Sequence, residues 1–335
     1  MNEPFASLRG QTCLVTGASG FLGGYVVERL VDAGASVRCL VRGTSRRTFL
    51  PNSGVQFCQG DVTNPVSLPD ALTDVDFVFH VAGLIKAQQV TDYFRVNYLG
   101  TVNLLEVCRK VAPRVRRVVV VSSLAAAGPS FPGHPLDEYS LCHPATPYGK
   151  SKWQEEQAAI AFSDRMPITI VRPPTIYGPR DRETLAIFRL VGFGISPRLP
   201  VEGEISMVHA SDLVDGIMLA ATHPEAVGRT FFLANDEAPS LSDLLGIIGT
   251  VLGRRGVEVS VPAWALRIAG RTAEAVRATT GLPIIFDRWK AEEVVGGYWA
   301  CSNARARRQL GFTPRIPLRD GLAETAQWYR AMGWL

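Results

Sequence analysis

The chain has 335 residues, of which 47% are hydrophobic and 20% charged, and carries a formal net charge of +4. That length supports a well-buried core and one large α/β domain with a smaller lobe, and the composition excludes a disordered, low-complexity or repeat-array protein. The positive charge is spread along the chain: the clusters Arg42, Arg46, Arg47 and Arg305, Arg307, Arg308 are too short to argue for nucleic acid, and the second reads as a solvated helix face.

The first residues, MNEPFASLRGQ, contain an acid and no apolar secretion segment, and no later apolar run reaches a membrane span. A cytoplasmic protein without a transmembrane segment is expected. From Thr12 onward apolar β-branched runs alternate with helical patterns: TCLVTG, GGYVVERLVDAG, SVRCLV, VQFCQGD, DFVFHVAG, a long helix from about Tyr93 to Val111, then RRVVVVSS. Strands that are apolar throughout and separated by helices predict an α/β fold, a doubly wound parallel sheet buried on both faces. A helix from about Pro147 and the strand ITIVRPP extend it. After IYGPRD the pattern loosens into short helices broken by prolines and glycines, and FFLAN returns to the sheet. The six cysteines (Cys13, Cys39, Cys58, Cys108, Cys142 and Cys301) are scattered with no C-x-x-C pair, as buried reduced thiols would be.

The stretch LVTGASGFLG sets Gly17, Gly20 and Gly23 between the first strand and the first helix. There Gly17 permits a tight turn, Gly20 lets backbone amides approach a pyrophosphate, and Gly23 lets the helix pack closely on the strand. Ser19, Phe21 and Leu22 share that turn and would touch the same cofactor. An acid that holds the adenosine ribose would end the second strand, but Val41 and Arg42 stand there, followed by Thr44 and Ser45. A guanidinium and hydroxyls suit a 2′-phosphate, which favours NADP(H) over NAD(H). Asp61, followed by Val62, would accept from the adenine amine; a helix N-cap before NPVSL is the competing reading.

Tyr148 and Lys152, in PYGKSKWQEEQA, stand four apart on a predicted helix, so both leave one face. A phenol with a pKa of about 10 is a poor acid/base at neutral pH, and a neighbouring ammonium and a nicotinamide cation would stabilise its phenolate. Ser123 ends the strand RRVVVVSS, where open parallel sheets hold ligands, and would hydrogen-bond a substrate hydroxyl or carbonyl; capping the strand end is the alternative. Asn97 is polar within the apolar helical pattern FRVNYLGTVNLLEVC. It would position a water or the lysine, or be a satisfied buried amide.

With TGASGFLG, GDV, HVAG, VNYLGT, VVSS, YGKSK and RPPTIYGPRD in this order, the chain resembles an extended short-chain dehydrogenase/reductase of the NAD-dependent epimerase/dehydratase superfamily. The resemblance covers almost the whole chain, including ARRQLGFTPRIPLRDGLAETAQWYRAMGWL, and leans toward the 3β-hydroxysteroid dehydrogenase and dihydroflavonol reductase-like branch. It implies a Rossmann domain binding NAD(P) over 1–176, with returns near 205–235, and a smaller, discontinuous, mainly helical substrate lobe over 177–335. It makes Tyr148 the general acid/base, Ser123 the carbonyl-orienting donor, and Lys152 the holder of the nicotinamide ribose, with Asn97 supporting a proton relay. Val81, Ala82 and Gly83 would line the cofactor cleft, Pro173, Thr175 and Ile176 would border the nicotinamide, and Ser122 would touch the cofactor or frame Ser123. Hydride would pass between nicotinamide C4 and a secondary carbon, without a metal. A homodimer through the Tyr93 and Tyr148 helices is also implied.

Sugar-nucleotide members of that family commonly place an asparagine shortly after the arginine of RPPTIYGP and a basic residue before MVHASDL; Pro174 and Thr175 stand in the first place, and VEGEIS precedes the second. A bulky, hydrophobic small-molecule substrate is therefore favoured, with Arg180, Arg182 or Arg198 as substitute diphosphate ligands on the other reading. Trp264, Ile268, Val276, Leu282, Ile284, Ile285 and Phe286 would build an apolar pocket or lid, and with Arg267, Arg271 and Arg277 could rest on a membrane surface. Ordinary packing of a small lobe explains the same residues, and His209 reads as a structural residue at a helix start. A cofactor-binding sensor without turnover is a third possibility, against which the intact Ser123, Tyr148 and Lys152 set argues.

Overall fold

Along the first strand, Cys13 and Val15 enter one hydrophobic core while Leu14, between them, enters another. Such alternation, with every residue apolar, is what a sheet covered on both faces requires. The computed structural model describes residues 5–254, 256–280 and 288–335. Leu282, Ile284, Ile285 and Phe286 lie outside the described residues, as does the side chain of Arg277.

The strands are β1 (Thr12–Thr16), β2 (Ser36–Val41), β3 (Val55–Gln59), β4 (Phe77–His80), β5 (Arg117–Val121), β6 (Ile168–Arg172), β7 (Thr175–Tyr177), β8 (Ile195–Arg198), β9 (Met207–His209), β10 (Thr230–Phe232) and β11 (Val257–Ser260). Seven of them form one parallel sheet in the order β10-β6-β5-β4-β1-β2-β3. β1 pairs with β2 on one side and β4 on the other, so that Val15 lies between Cys39 and Phe79. The direction of winding reverses there, and a crevice opens at the strand carboxyl ends. β7 with β9, and β8 with β11, form two small parallel pairs.

The helices are α1 (Phe21–Asp32), α2 (Pro69–Leu72), α3 (Val90–Tyr93), α4 (Gly100–Val111), α5 (Leu124–Ala127), α6 (Pro147–Phe162), α7 (Leu185–Gly192), α8 (Ala210–Thr222), α9 (Leu241–Leu252), α10 (Ala263–Thr280), α11 (Arg288–Gly296), α12 (Ala304–Leu310) and α13 (Leu318–Ala331). Val26, Val27 and Leu30 of α1 and Leu213, Val214 and Ile217 of α8 cover one face of the sheet. Leu104, Leu105 and Cys108 of α4, with Ala159 of α6, cover the other. Each fully buried Val or Leu among them contributes roughly 1.5–3 kcal/mol. A separate core joins Phe188 of α7, Leu244 and Ile248 of α9, and Leu322 and Tyr329 of α13. All six cysteines are free thiols.

The helix expected from Tyr93 to Val111 is not uniform. Between α3 and α4, Phe94–Leu99 form a π-helical turn centred on Asn97, which is fully buried. The widened turn is held by the Asn97 amide, which accepts from the Leu84 N–H at 2.7 Å and donates to the Leu84 carbonyl at 3.1 Å. Such π turns cluster at functional sites.

Candidate active site

β1 ends in Thr16, and Gly17 turns the chain with φ +69°. A Cβ on Gly17 would stand 2.7 Å from the Ala82 amide nitrogen, and one on Gly23 only 2.1 Å from the Gly17 carbonyl oxygen. The turn therefore closes against the end of β4 and the first turn of α1 only with glycine at both places. Gly20, the N-cap of α1, offers no side chain to the helix's first N–H groups. Those donors and the helix dipole fit a diphosphate. Ser19 and Gly20 are exposed beside them and Phe21 is half-buried. Leu22 points into the core, which leaves only its backbone for a ligand.

At the far end of the crevice Arg42 is exposed just after β2, and its N–H donates to the Ser45 hydroxyl at 3.0 Å. Thr44 is exposed between them. Asp61 uses Oδ1 in its own turn, accepting from the N–H and the hydroxyl of Thr63, both at 2.8 Å. The following short 3-10 turn, Pro65–Ser67, takes Asn64 as its N-cap, so Asp61 is not the cap. The Val62 side chain is buried against α4, where a Cβ on Gly100 would come within 2.8 Å of it.

α6 begins where its sequence dictates: the Thr146 hydroxyl accepts from the Gly149 N–H at 3.0 Å and Pro147 occupies the first turn. This places half-buried Tyr148 beside Ser123. Ser123 also caps α5, accepting from the Ala125 N–H at 3.1 Å. One turn on, Lys152 is buried; Nζ donates to the Val121 carbonyl at 2.8 Å and pairs with Glu155. A Cβ on Gly83 would lie 3.6 Å from both Lys152 Nζ and Asn97 Oδ1, so the end of β4, the π turn and α6 converge. The Asn97 amide donates to Ser151 Oγ at 2.9 Å, and Ser151 donates to the Tyr148 carbonyl at 2.7 Å.

Ser122 is turned inward, and its hydroxyl donates to Glu156 at 2.5 Å. Glu156 is gripped by the Arg172 guanidinium at 2.9 and 2.6 Å. Ser122 thus frames the strand end beside Ser123. The Pro173 carbonyl accepts from the Leu124 N–H at 2.8 Å, and Thr175 and Ile176 continue along β7 opposite Met207 and Val208.

Burial pushes the Tyr148 phenol up, opposed by the neighbouring Ser123 hydroxyl; Glu155 and Glu293 push the same way as burial, and Lys290 against it. Burial also raises Glu155 to about 7 despite the attraction of Lys152 and a hydrogen bond from Thr101. His80 is lowered to about 3, first by burial and then by Lys152.

On the substrate side, two of the three arginines considered as diphosphate ligands have other partners. Arg180 binds Glu28 at 2.8 Å and stacks on Tyr25 and Phe49, and Arg182 stacks on Trp334. Arg198 lines a groove with Val191, Ser242, Leu245 and Arg254. Trp264, Ile268 and Val276 are exposed on α10, while the residues expected to build an apolar pocket with them lie outside the described residues. Trp264 and Ile268 stand one turn apart on one face of this helix, which is tied to α11 by Arg267–Glu292. His209 is buried and caps α8, accepting from the Ser211 N–H at 3.3 Å.

The model of the NAD dependent epimerase/dehydratase family matches residues 13–234. The chain belongs to this family. It is 31% identical to the ceramide reductase of Caulobacter vibrioides, across 96% of this chain and 95% of that one. It is 25% identical to the UDP-glucose 4-epimerase of Vibrio cholerae, across 95% of each. The crystal structure of gox2253 superposes with a TM-score of 0.82 at 26% identity, across 97% of this chain and all of that one. As an extended short-chain dehydrogenase/reductase, the chain is an enzyme whose family works with NAD or NADP on a small-molecule substrate. No helix among the described residues is long and apolar enough to cross a membrane.

For an epimerase/dehydratase family enzyme, the site holds polar groups that the sequence reading passed over. Glu155, Thr101 and His80 form a buried cluster behind Lys152, and Glu156 with Arg172 forms another behind Ser122. The signal for Glu155 was present: three positions after Lys152 it shares the inner face of α6.

Proposed function

We propose that this enzyme transfers hydride between NADP(H) and the secondary alcohol or ketone carbon of a bulky, hydrophobic substrate, with Tyr148 as general acid/base. The observation that carries the reading is the placement of Tyr148 beside Ser123 at the carboxyl ends of the strands, with the buried Lys152 one helical turn on and the glycine turn close by. The nicotinamide, when bound, supplies the hydride acceptor or donor. In the alcohol-to-ketone direction Tyr148 Oη takes the hydroxyl proton, and in reverse it returns the proton to the ketone oxygen. Ser123 donates a hydrogen bond to that same oxygen and fixes the reacting carbon. Lys152 holds the ribose hydroxyls and lends positive charge to the phenolate. Asn97, through Ser151, holds the α6 backbone at Tyr148.

Gly17, Gly20 and Gly23 with the α1 N-terminus take the diphosphate, and Arg42, Thr44 and Ser45 take the 2′-phosphate that distinguishes NADP. The engagement of Arg180 and Arg182 elsewhere supports a substrate without a diphosphate, as does the reductase name of the Caulobacter relative. The Vibrio relative and Arg198 support a sugar-nucleotide substrate as the second reading, in which hydride returns to the same substrate. Both helices at Tyr93 and Tyr148 lead to large exposed apolar side chains, Leu99, Trp153 and Ile160, which supports their pairing in a homodimer.

Tyr148→Phe tests the mechanism. Turnover is expected to fall by at least about a hundredfold while NADP(H) affinity stays within about threefold. Turnover that survives without the phenol would remove Tyr148 from the acid/base role.

A further inference from the structure

Behind Lys152 lies a polar cluster that hydride transfer does not use. Glu155 is fully buried and paired with Lys152 through one carboxylate oxygen. Its other oxygen lies 3.1 Å from Thr101 Oγ1 and 3.8 Å from His80 Nε2. His80 Nδ1 is 2.7 Å from Thr16 Oγ1, which already accepts the Ala82 N–H at 3.1 Å. Because the Thr101 hydrogen is directed at the Asn97 carbonyl, Nε2–H donates to Thr101 Oγ1 at 2.8 Å, and Nδ1 then accepts from the Thr16 hydroxyl. Thr101 has one hydrogen, and its shortest contact is the Asn97 carbonyl at 2.6 Å. The same hydrogen reaches Glu155 less closely, at 3.1 Å, so the Thr101 hydroxyl stabilises the ionised carboxylate only weakly.

We propose that Glu155 is a positioning residue that competes with the nicotinamide ribose for the Lys152 ammonium, so that protonating Glu155 releases Lys152 toward the cofactor. The proposal rests on the reading of Lys152 as the ribose ligand. Ionised, Glu155 compensates Lys152 inside the core and opposes phenolate at Tyr148; neutral, it leaves the ammonium for the ribose hydroxyls. The charged and titratable groups facing Glu155 are Lys152 and Glu156 on α6 and His80 on β4, with Thr101 on α4 hydrogen-bonded to it. Those facing Tyr148 are Tyr93, Lys290 and Glu293. Burial sets Glu155 to about 7, which places the exchange in the working range of pH.

The test is the affinity of the full chain for NADPH, measured by fluorescence titration from about pH 6 to about pH 8 in the wild type and in Glu155→Gln. The ligand's own ionisation is common to both proteins and cancels in their ratio. Wild-type affinity is expected to fall at least about fivefold relative to Glu155→Gln over that range. A ratio that stays flat overturns the proposal, since a purely structural Glu155 changes stability without this pH dependence. Should Glu155→Gln fail to fold, Thr101→Val removes the hydrogen bond that lowers Glu155 and should move the wild-type midpoint upward; an unmoved midpoint again overturns it. Lys152→Met separates the two readings. If the wild-type pH dependence disappears together with a large loss of affinity, both stand. If Lys152→Met binds NADPH as tightly as wild type, the ribose role of Lys152 fails, whatever Glu155 does.

Discussion

Gly149 and Ala125 touch so closely that a Cβ on Gly149 would stand 2.3 Å from the Ala125 carbonyl oxygen. This contact seats the first turn of α6 on α5 and brings Tyr148 to Ser123. Gly149→Ala must push the two helices apart, at a cost of roughly 1–3 kcal/mol of stability. Turnover should fall at least about tenfold, because small displacements of reacting groups cost rate steeply. Thermal unfolding and a kcat measurement check both, and a variant with wild-type kcat would show that the contact does not set the Tyr148–Ser123 geometry.

Gly17 is constrained twice, by φ +69° and by the Ala82 amide. Gly17→Ala should weaken NADP(H) binding by about tenfold or more, since the left-handed backbone alone costs an L-residue roughly 1–2 kcal/mol. Equilibrium fluorescence titration reads this directly. Gly34→Ala is the comparison for backbone strain away from the crevice, with φ +74°, and should cost stability and leave binding unchanged.

Arg42 follows β2 where a ribose-holding acid would otherwise stand. Arg42→Ala should weaken NADPH by about tenfold to a hundredfold, the worth of a charge-assisted hydrogen bond to phosphate, and leave NADH nearly unchanged. Equal loss for both cofactors would assign Arg42 a role in folding the loop.

Glu155 and His80 make opposite contributions to stability against pH. Glu155 rises from 4.5 to about 7 on folding, so the native state holds the extra proton and stability is lost as pH climbs through that window. His80 falls from 6.5 to about 3, so the unfolded state binds the proton more readily and stability is lost as pH drops through its window. In the wild type the two trends oppose each other between 4.5 and 6.5. Glu155→Gln removes one of them, and its Tm should climb with pH relative to wild type from 4.5 to about 7. Parallel Tm curves for the two proteins would contradict this.

The glycine turn and the Tyr148–Lys152 spacing were legible in the sequence because each is local: three glycines within seven residues, and one helical turn between phenol and ammonium. The parallel sheet was legible because β1, β2, β4 and β5 are apolar at nearly every position. What stayed hidden depends on distant partners. The Glu156–Arg172 pair needs the docking of α6 on β6, and the Arg180–Glu28 pair joins residues 152 positions apart. The π turn at Asn97 follows from a bond to Leu84, which no helical periodicity reports. Trp264 and Ile268 have the composition of a core, and only the placement of α10 shows them exposed.

The most direct measurement follows nicotinamide absorbance while the enzyme meets NADP⁺ and, separately, bulky hydrophobic secondary alcohols and sugar nucleotides. Net formation of NADPH with a hydrophobic alcohol, and none in Tyr148→Phe, is expected of the proposed hydride transfer. Conversion of a sugar nucleotide with no net reduced cofactor, and silence with every alcohol, would contradict it.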